Sequence, residues 1–251
     1  MKPGNTPWCP MQSASLAWDE DGSPRSTRFD DVYYSRENGL QESRYVFLEG
    51  NRLPQRWSGH QAPLFTVAET GFGTGLNFLT TWQAWRQLPE PRPRLHFLSI
   101  EKFPLEPEQL TRATGLWPEL QALAQQLTGQ YPGLLPGQHR LLFENGAVIL
   151  DLWWADIRDA LEDLASRGEP LVDAWYLDGF APARNEAMWD ERALQGIGRL
   201  SRPGATFSTF TAAGQVRRGL VEAGFRVDKV DGFGRKRNSL RGELQQPVNN
   251  C

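Results

Sequence analysis

From about residue 64 onward, short continuous apolar runs alternate with longer stretches whose apolar residues recur at helical spacing. Leu64-Phe-Thr-Val-Ala-Glu, Leu95-His-Phe-Leu-Ser-Ile-Glu101 and Val148-Ile-Leu-Asp-Leu-Trp read as strands, as do Ala174-Trp-Tyr-Leu-Asp178 and Pro203-Gly-Ala-Thr-Phe-Ser-Thr-Phe. Helical spacing appears in Leu76-Asn-Phe-Leu-Thr-Thr-Trp, ended by Pro89 to Pro93, and again over 107–127, 156–165, 186–200 and 213–223. Runs that are apolar throughout suit strands covered on both faces. Strands alternating with helices predict an α/β fold with a doubly wound, mostly parallel sheet. Asn145-Gly146, flanked by Arg140-Leu-Leu-Phe and Val148-Ile-Leu, is a hairpin signal. Phe225-Arg-Val-Asp-Lys-Val and Ser239-Leu-Arg-Gly-Glu-Leu predict a terminal strand pair forming an antiparallel edge. Residues 1–60 lack this rhythm. They read as a β-rich extension packed on the main domain, with a hairpin at Tyr45-Val-Phe-Leu-Glu and Gly50-Asn51. Residues 61–245 form the expected main domain, and 246–251 a linker or tail.

Composition narrows the class. Hydrophobic residues make up 39% of the 251, charged ones 23%, and there are 24 glycines, so the chain is globular rather than disordered. Lys plus Arg total 27 against 30 Asp plus Glu, a net charge of −3. That balance argues against broad coating of nucleic acid and leaves room for a local basic patch. Cys9 and Cys251, at opposite ends, make neither a disulfide framework nor a zinc site, and a reducing compartment is expected. There is no apolar run of about 18 residues, and the start, Met1-Lys-Pro-Gly-Asn-Thr-Pro, lacks a signal-peptide core. A cytoplasmic protein follows. His60, His96 and His139 lie far apart without metal-ligand spacing. No Gly-x-Ser-x-Gly, Walker loop or His-Glu-x-x-His occurs, which removes support for hydrolase, phosphotransferase and metalloprotease chemistry.

Three clusters carry candidate chemistry. Glu69-Thr-Gly71-Phe72-Gly73-Thr-Gly75 lies between a predicted strand and helix, where glycines permit a tight turn and close backbone approach to a ligand. Leu76 stands where a dinucleotide motif places its third glycine. Glu69 would repel a pyrophosphate and attract a cation, which favours S-adenosylmethionine over a nicotinamide cofactor. Glu101, ending the second strand, is either an exposed strand-end acid or a ribose acceptor. Asp156, after Trp153-Trp154-Ala155, is either a helix N-cap or a partner for an adenine amino group, with the tryptophans as stacking surfaces. The second cluster, Asp178-Gly-Phe180-Ala-Pro182, begins where a strand ends, and Trp189 follows it. It is similar to the Asp-Pro-Pro-aromatic loop of amino-group methyltransferases. Phe180 and Trp189 are candidate stacking surfaces, with core packing as the other reading. In the third, Arg235, Lys236, Arg237 and Arg241 place four cations in seven residues, either a solvated turn or a phosphate contact.

Taken together these residues resemble the methyltransferase domain of the MnmC family, the tRNA wobble-uridine modification enzymes. The likeness covers about residues 12–244 and rests on Phe29-Asp-Asp-Val-Tyr33-Tyr-Ser, Tyr45-Val-Phe-Leu, Glu69-Thr-Gly-Phe-Gly-Thr-Gly-Leu-Asn77-Phe, Ser99-Ile-Glu-Lys102, Tyr176-Leu-Asp-Gly-Phe-Ala-Pro-Ala-Arg-Asn and Gly232-Phe-Gly-Arg-Lys-Arg. The resemblance implies a class I, Rossmann-like fold that uses S-adenosylmethionine to methylate the aminomethyl group of uridine 34 in the tRNA anticodon loop. It implies cofactor contacts at Glu69, Gly71, Gly73, Gly75, Glu101 and Asp156, with Phe72, Asn77, Lys102 and Phe180 beside them. Asp178 would face the amine, orienting it and stabilising its developing charge. Phe180, Trp189, Arg235, Lys236 and Arg237 would meet the RNA. The family usually continues Glu-Met after the basic run, where this chain has Asn238-Ser239. Bifunctional members carry a flavin-dependent oxidase domain after the methyltransferase. This chain stops at Cys251 and is not expected to perform the oxidase step alone. The competing expectations are another amine-directed methyl- or aminopropyl-transferase, and a noncatalytic tRNA-binding module serving a flavin oxidase.

Overall fold

The computed structural model describes residues 11–34 and 38–245. The expectations for the first residues, Cys9, the tail and Cys251 lie outside the described residues. Three short strands come first, β1 (Leu16–Trp18), β2 (Pro24–Ser26) and β3 (Asp31–Val32), forming a small antiparallel sheet. Two short helices follow, α1 (Gly39–Ser43) and α2 (Leu53–Ser58), separated by a π-helical stretch at Arg44–Glu49. The alternating region then runs β4 (Leu64–Thr70), α3 (Leu76–Arg86), β5 (Arg94–Glu101), α4 (Pro107–Thr114), α5 (Gln121–Thr128), β6 (Gly137–Phe143) and β7 (Val148–Trp154). It continues with α6 (Ile157–Ser166), β8 (Val172–Tyr176), α7 (Glu191–Leu200), β9 (Ser201–Thr209), α8 (Gly214–Glu222), β10 (Phe225–Asp231) and β11 (Asn238–Leu244).

The last eight strands form one sheet in the order β10-β11-β9-β8-β4-β5-β7-β6. Its five central strands, β9, β8, β4, β5 and β7, run parallel. Both edges are antiparallel, β6 through the Asn145-Gly146 hairpin and β10 with β11 through the terminal pair. Successive strand residues face opposite sides, as the pleat requires. Val67, Phe97 and Tyr176 enter one core with Leu40 of α1, Phe78 and Trp82 of α3 and Leu127 of α5. Ala68, Leu98 and Trp175 enter the other with Leu161 of α6, Ile197 of α7 and Leu220 of α8. The sheet is therefore wound on both faces, as the alternation predicts. Most of the tryptophan content belongs to these cores: Trp57, Trp82, Trp85, Trp154 and Trp175 are buried to below 2% exposure.

Three expectations about elements are corrected. Tyr45-Val-Phe-Leu-Glu is helical, not a hairpin strand. Asn38 caps α1 by accepting from the Gln41 amide, and Leu40, Val46, Phe47 and Leu48 then bury a helical face. Asn51 does not turn a hairpin; its amide donates to the Phe47 and Trp175 carbonyls. The stretch 107–127 is two helices, because the chain leaves α4 at Gly115 and re-enters through a 3-10 turn at Pro118–Leu120. Residues 186–200 likewise divide into a 3-10 turn, Glu186–Trp189, and α7, which Asp190 caps.

Candidate active site

The chain leaves β4 toward β5 and β7 on one side and returns to β8 and β9 on the other. Open α/β sheets bind ligands where the strand order reverses in this way, beyond the carboxyl ends of the strands. A cleft of about 730 Å³ opens there, within the roughly 300–1,000 Å³ usual for small-molecule sites. Among the described residues no three or more His, Cys, Asp or Glu side chains form a group able to hold a metal, and no helix is long and apolar enough to cross a membrane.

The glycine turn forms one wall. Gly71, Gly73 and Gly75 have φ of 95°, 51° and 71°, a left-handed backbone that only glycine adopts without strain. Gly71 and Gly73 line the cleft; Gly75 sits behind them at the N-cap of α3, packed on Phe72. Glu101, from the end of β5, braces this turn: the Gly73 amide donates to its Oε2 at 3.0 Å and the Phe103 amide to its Oε1 at 2.7 Å. Burial raises its carboxyl above the usual range, and these backbone amides offset part of the rise. Asp156 also faces the cleft, yet its oxygens are engaged. It accepts from the Arg158 amide as the N-cap of α6 and pairs with Lys102 at 2.8 Å and the Arg158 side chain at 3.0 Å. Burial alone would raise Asp156; the hydrogen bonds from Arg158 and Lys102 outweigh it and hold the carboxyl well below the usual range.

Asp178 follows β8 and lies on the cleft wall. The Gly179 amide donates to Oδ1 at 2.7 Å and the Asn77 side-chain amide to Oδ2 at 2.6 Å. Burial pushes its carboxyl up to about 6; these hydrogen bonds hold it below what burial alone would give, and Glu42 raises it further. The same Asn77 amide donates to Glu69 Oε1 at 2.9 Å, and Ser99 donates to Oε2 at 2.6 Å. Glu69 is fully buried and is not on the cleft wall, and burial raises it well above its ordinary range. The acids that do line the cleft are Asp31, Glu42, Glu101, Asp156 and Asp178. Glu69 itself fixes Asn77.

Other sequence candidates divide sharply. Phe72 lines the cleft from beneath, against Trp154 and Tyr131. Phe180 lines it too, stacked on Phe29 with centroids 4.6 Å apart and edge-on to Tyr33 at 5.3 Å. Trp189 does not: it is 5% exposed in the core, and its indole N–H donates to the Phe180 carbonyl at 3.0 Å. Trp153 and Trp154 are likewise core residues and leave no surface for an adenine. Arg235 and Lys236 line the cleft; Arg237 is exposed beside it. Residues that pattern reasoning left without a role also enter the site. Asp31 accepts from the Ala181 amide at 3.1 Å and so ties the N-terminal sheet to the Asp178 loop. Glu42, Ser43, Phe210 and Phe233 complete the opposite end. The aromatic density of Phe29-Asp-Asp-Val-Tyr33-Tyr34 was the signal available for the N-terminal part; α1 offered none.

Comparison with known proteins bears on the fold and the family. A similar solved structure is MnmC2 from Aquifex aeolicus, with a TM-score of 0.71 at 22% identity, covering 97% of this chain and 75% of that one. A probable spermidine synthase from Corynebacterium glutamicum matches at a TM-score of 0.48 and 13% identity, over 94% of this chain and 81% of that one. At these identities the likeness to MnmC2 is one of fold, that of a class I methyltransferase. The family model described as S-adenosyl-L-methionine-dependent methyltransferase matches residues 118–245, just over half of the chain. This match, spanning just over half of the chain, makes the protein a member of the S-adenosyl-L-methionine-dependent methyltransferase family.

Proposed function

We propose that this chain methylates a primary amine, the 5-aminomethyl group of uridine or 2-thiouridine at wobble position 34 of tRNA, giving the 5-methylaminomethyl product. The single observation behind it is Asp178, a half-buried carboxyl on the wall of the cofactor cleft, in a loop packed against Gly71 of the glycine turn, with Phe180 also lining the cleft. The residues present fit S-adenosylmethionine. A Cβ on Gly73 would come 3.1 Å from the Tyr33 ring, so the turn is a close cradle. The acids around it suit a ligand bearing an ammonium and a sulfonium rather than phosphates. Gly71, Gly73 and Glu101 would hold that cofactor, with Asp156 and Lys102 at its far end. Bound there, it supplies a methyl group on a cationic sulfur that leaves as a neutral thioether.

Asp178 accepts an N–H of the amine and aims the nitrogen lone pair along the line of displacement. On taking up the methyl group that the cofactor would supply, the nitrogen would become cationic beside this carboxylate, which would stabilise the charge. The surplus proton passes to Asp178 or to water. Asn77 and the Gly179 amide hold the carboxylate in that orientation. The resemblance to MnmC domains and the basic run at Arg235–Arg237 support RNA as the carrier of the amine. The base must leave its loop stack to reach such a cleft.

The test is methyl transfer from a labelled donor to tRNA carrying unmethylated aminomethyluridine, followed by mass spectrometry of the nucleosides. The wild type is expected to convert that nucleoside alone. Asp178→Ala is expected to lower turnover by about 10²–10⁴-fold at saturating cofactor. Full turnover in that variant, or methylation elsewhere in the RNA, overturns the assignment.

A further inference from the structure

We infer that Glu42 and Lys236 form the receiving subsite for the acceptor amine, with Lys236 occupying on Glu42 the place that the substrate's ammonium takes when RNA binds. This rests on the amine chemistry proposed above. Lys236 Nζ donates to Glu42 Oε1 at 2.7 Å and lies 4.5 Å from the centre of the Phe210 ring. All three residues line the cleft. A carboxylate beside an aromatic face is a cation receptor, and here a lysine of the chain itself is seated in it.

Burial decides which partner leaves. The Lys236 side chain is 46% exposed and that of Glu42 only 9%. The ammonium can swing into water at little cost, whereas the Glu42 carboxylate is held in the wall of the cleft and stays to meet an incoming cation. Replacing one ammonium by another keeps the charge of the subsite constant as the amine docks; the amine then gives one proton to water before its nitrogen lone pair is presented beside Asp178. Lys236 belongs to the turn between β10 and β11 that also carries Arg235 and Arg237. Phosphates drawn to that turn therefore offer Lys236 a new partner as the amine arrives.

Two further features tie Glu42 to the reaction. The next residue, Ser43, donates to Asn77 Oδ1 at 2.6 Å, and Asn77 donates to Asp178, so hydrogen bonds run from the residue beside Glu42 to the acid. Glu42 and Ser43 also lead directly into the π-helical Arg44–Glu49, a rare backbone form that recurs at functional sites. Here Ser208 donates to the Val46 carbonyl and Asn51 to that of Phe47, so the fold supports the irregular turn from two sides.

The experiment compares binding of two anticodon stem-loops, one carrying 5-aminomethyluridine and the other neutral 5-hydroxymethyluridine, to wild type, Glu42→Gln and Lys236→Met. The wild type is expected to prefer the amine by about 10- to 100-fold. Glu42→Gln should lose that preference while keeping its affinity for the hydroxymethyl stem-loop and for the cofactor. Lys236→Met leaves the carboxylate in place and should keep or strengthen the preference, which covers the case of a Glu42 variant that fails to fold. An unchanged preference in Glu42→Gln, or a lost one in Lys236→Met, overturns the inference while leaving amine methylation intact. A wild type that methylates no amine-bearing stem-loop defeats the proposed function, and the inference with it.

Discussion

Asn77 organises the site through its full hydrogen-bonding capacity. Its amide donates to Glu69 and to Asp178, and its carbonyl accepts from Ser43. The buried Glu69 and the half-buried Asp178 thereby share one neutral bridge, and each retains a raised pKa. The sign for Asp178 follows from its folded value of about 6 against an ordinary 3.8. Its contribution to stability is complete below pH 3.8 and is lost as pH rises through about 6. Between pH 4 and pH 8, wild type should lose about 2 kcal/mol relative to Asp178→Asn, whatever constant offset the substitution introduces. Denaturant unfolding of both proteins at the two pH values measures this, and parallel pH dependences would reject a raised Asp178. The acids Asp178 and Glu101 were legible as strand-end residues on the ligand edge of the sheet. Glu69 was legible as an acid before a glycine turn, but its direction was not, because which face of β4 it occupies depends on what packs there.

At the scale of elements, the π-helical stretch shows how tertiary context overrides local preference. Tyr45-Val-Phe-Leu-Glu followed by Gly50-Asn51 has the composition of a strand and a turn. The structure winds it because Val46, Phe47 and Leu48 bury together against the sheet and Gly50 lets the backbone lie on β9. A Cβ on Gly50 would run into the Val46 carbonyl and the Ser208 hydroxyl. Gly50→Ala should destabilise the protein by about 1–3 kcal/mol, the usual range for overpacking. Thermal unfolding reads the effect, and adding Ser208→Ala should recover part of it; a Gly50→Ala protein as stable as wild type would show that the contact yields. The Gly71–Gly75 turn is the opposite case. Its strand, its helix and its three positive φ values are all local requirements, so the sequence alone gives its place.

Over the whole molecule, the N-terminal sheet and the Asp178 loop close on each other across the cleft. Phe29 stacks on Phe180, Asp31 holds the Ala181 amide, and Asp30 pairs with Arg184 at 3.3 Å. The net charge is −3, yet Arg235 lines the cleft and Arg237, two residues on, is exposed, so the proposed attraction for RNA is local. The double variant Arg235→Ala, Arg237→Ala should weaken tRNA binding and reduce the slope of log affinity against log salt by about 1–2, with cofactor affinity unchanged. Titrations at several salt concentrations test this, and an unchanged slope would remove the turn from the RNA interface. The sequence by itself determined the parallel sheet, the hairpin at Asn145-Gly146, the glycine turn and the acids that end β5 and β8. Each depends on the periodicity, the backbone freedom or the strand end of one short segment. Only the tertiary structure decided that Trp189 belongs to the core, that Asp31 reaches the Asp178 loop, and that Glu42 meets Lys236. Asp31 and Ala181 lie 150 residues apart and Glu42 and Lys236 194, distances over which no local pattern carries information, and the face that Trp189 turns to the core depends on the elements packed around it.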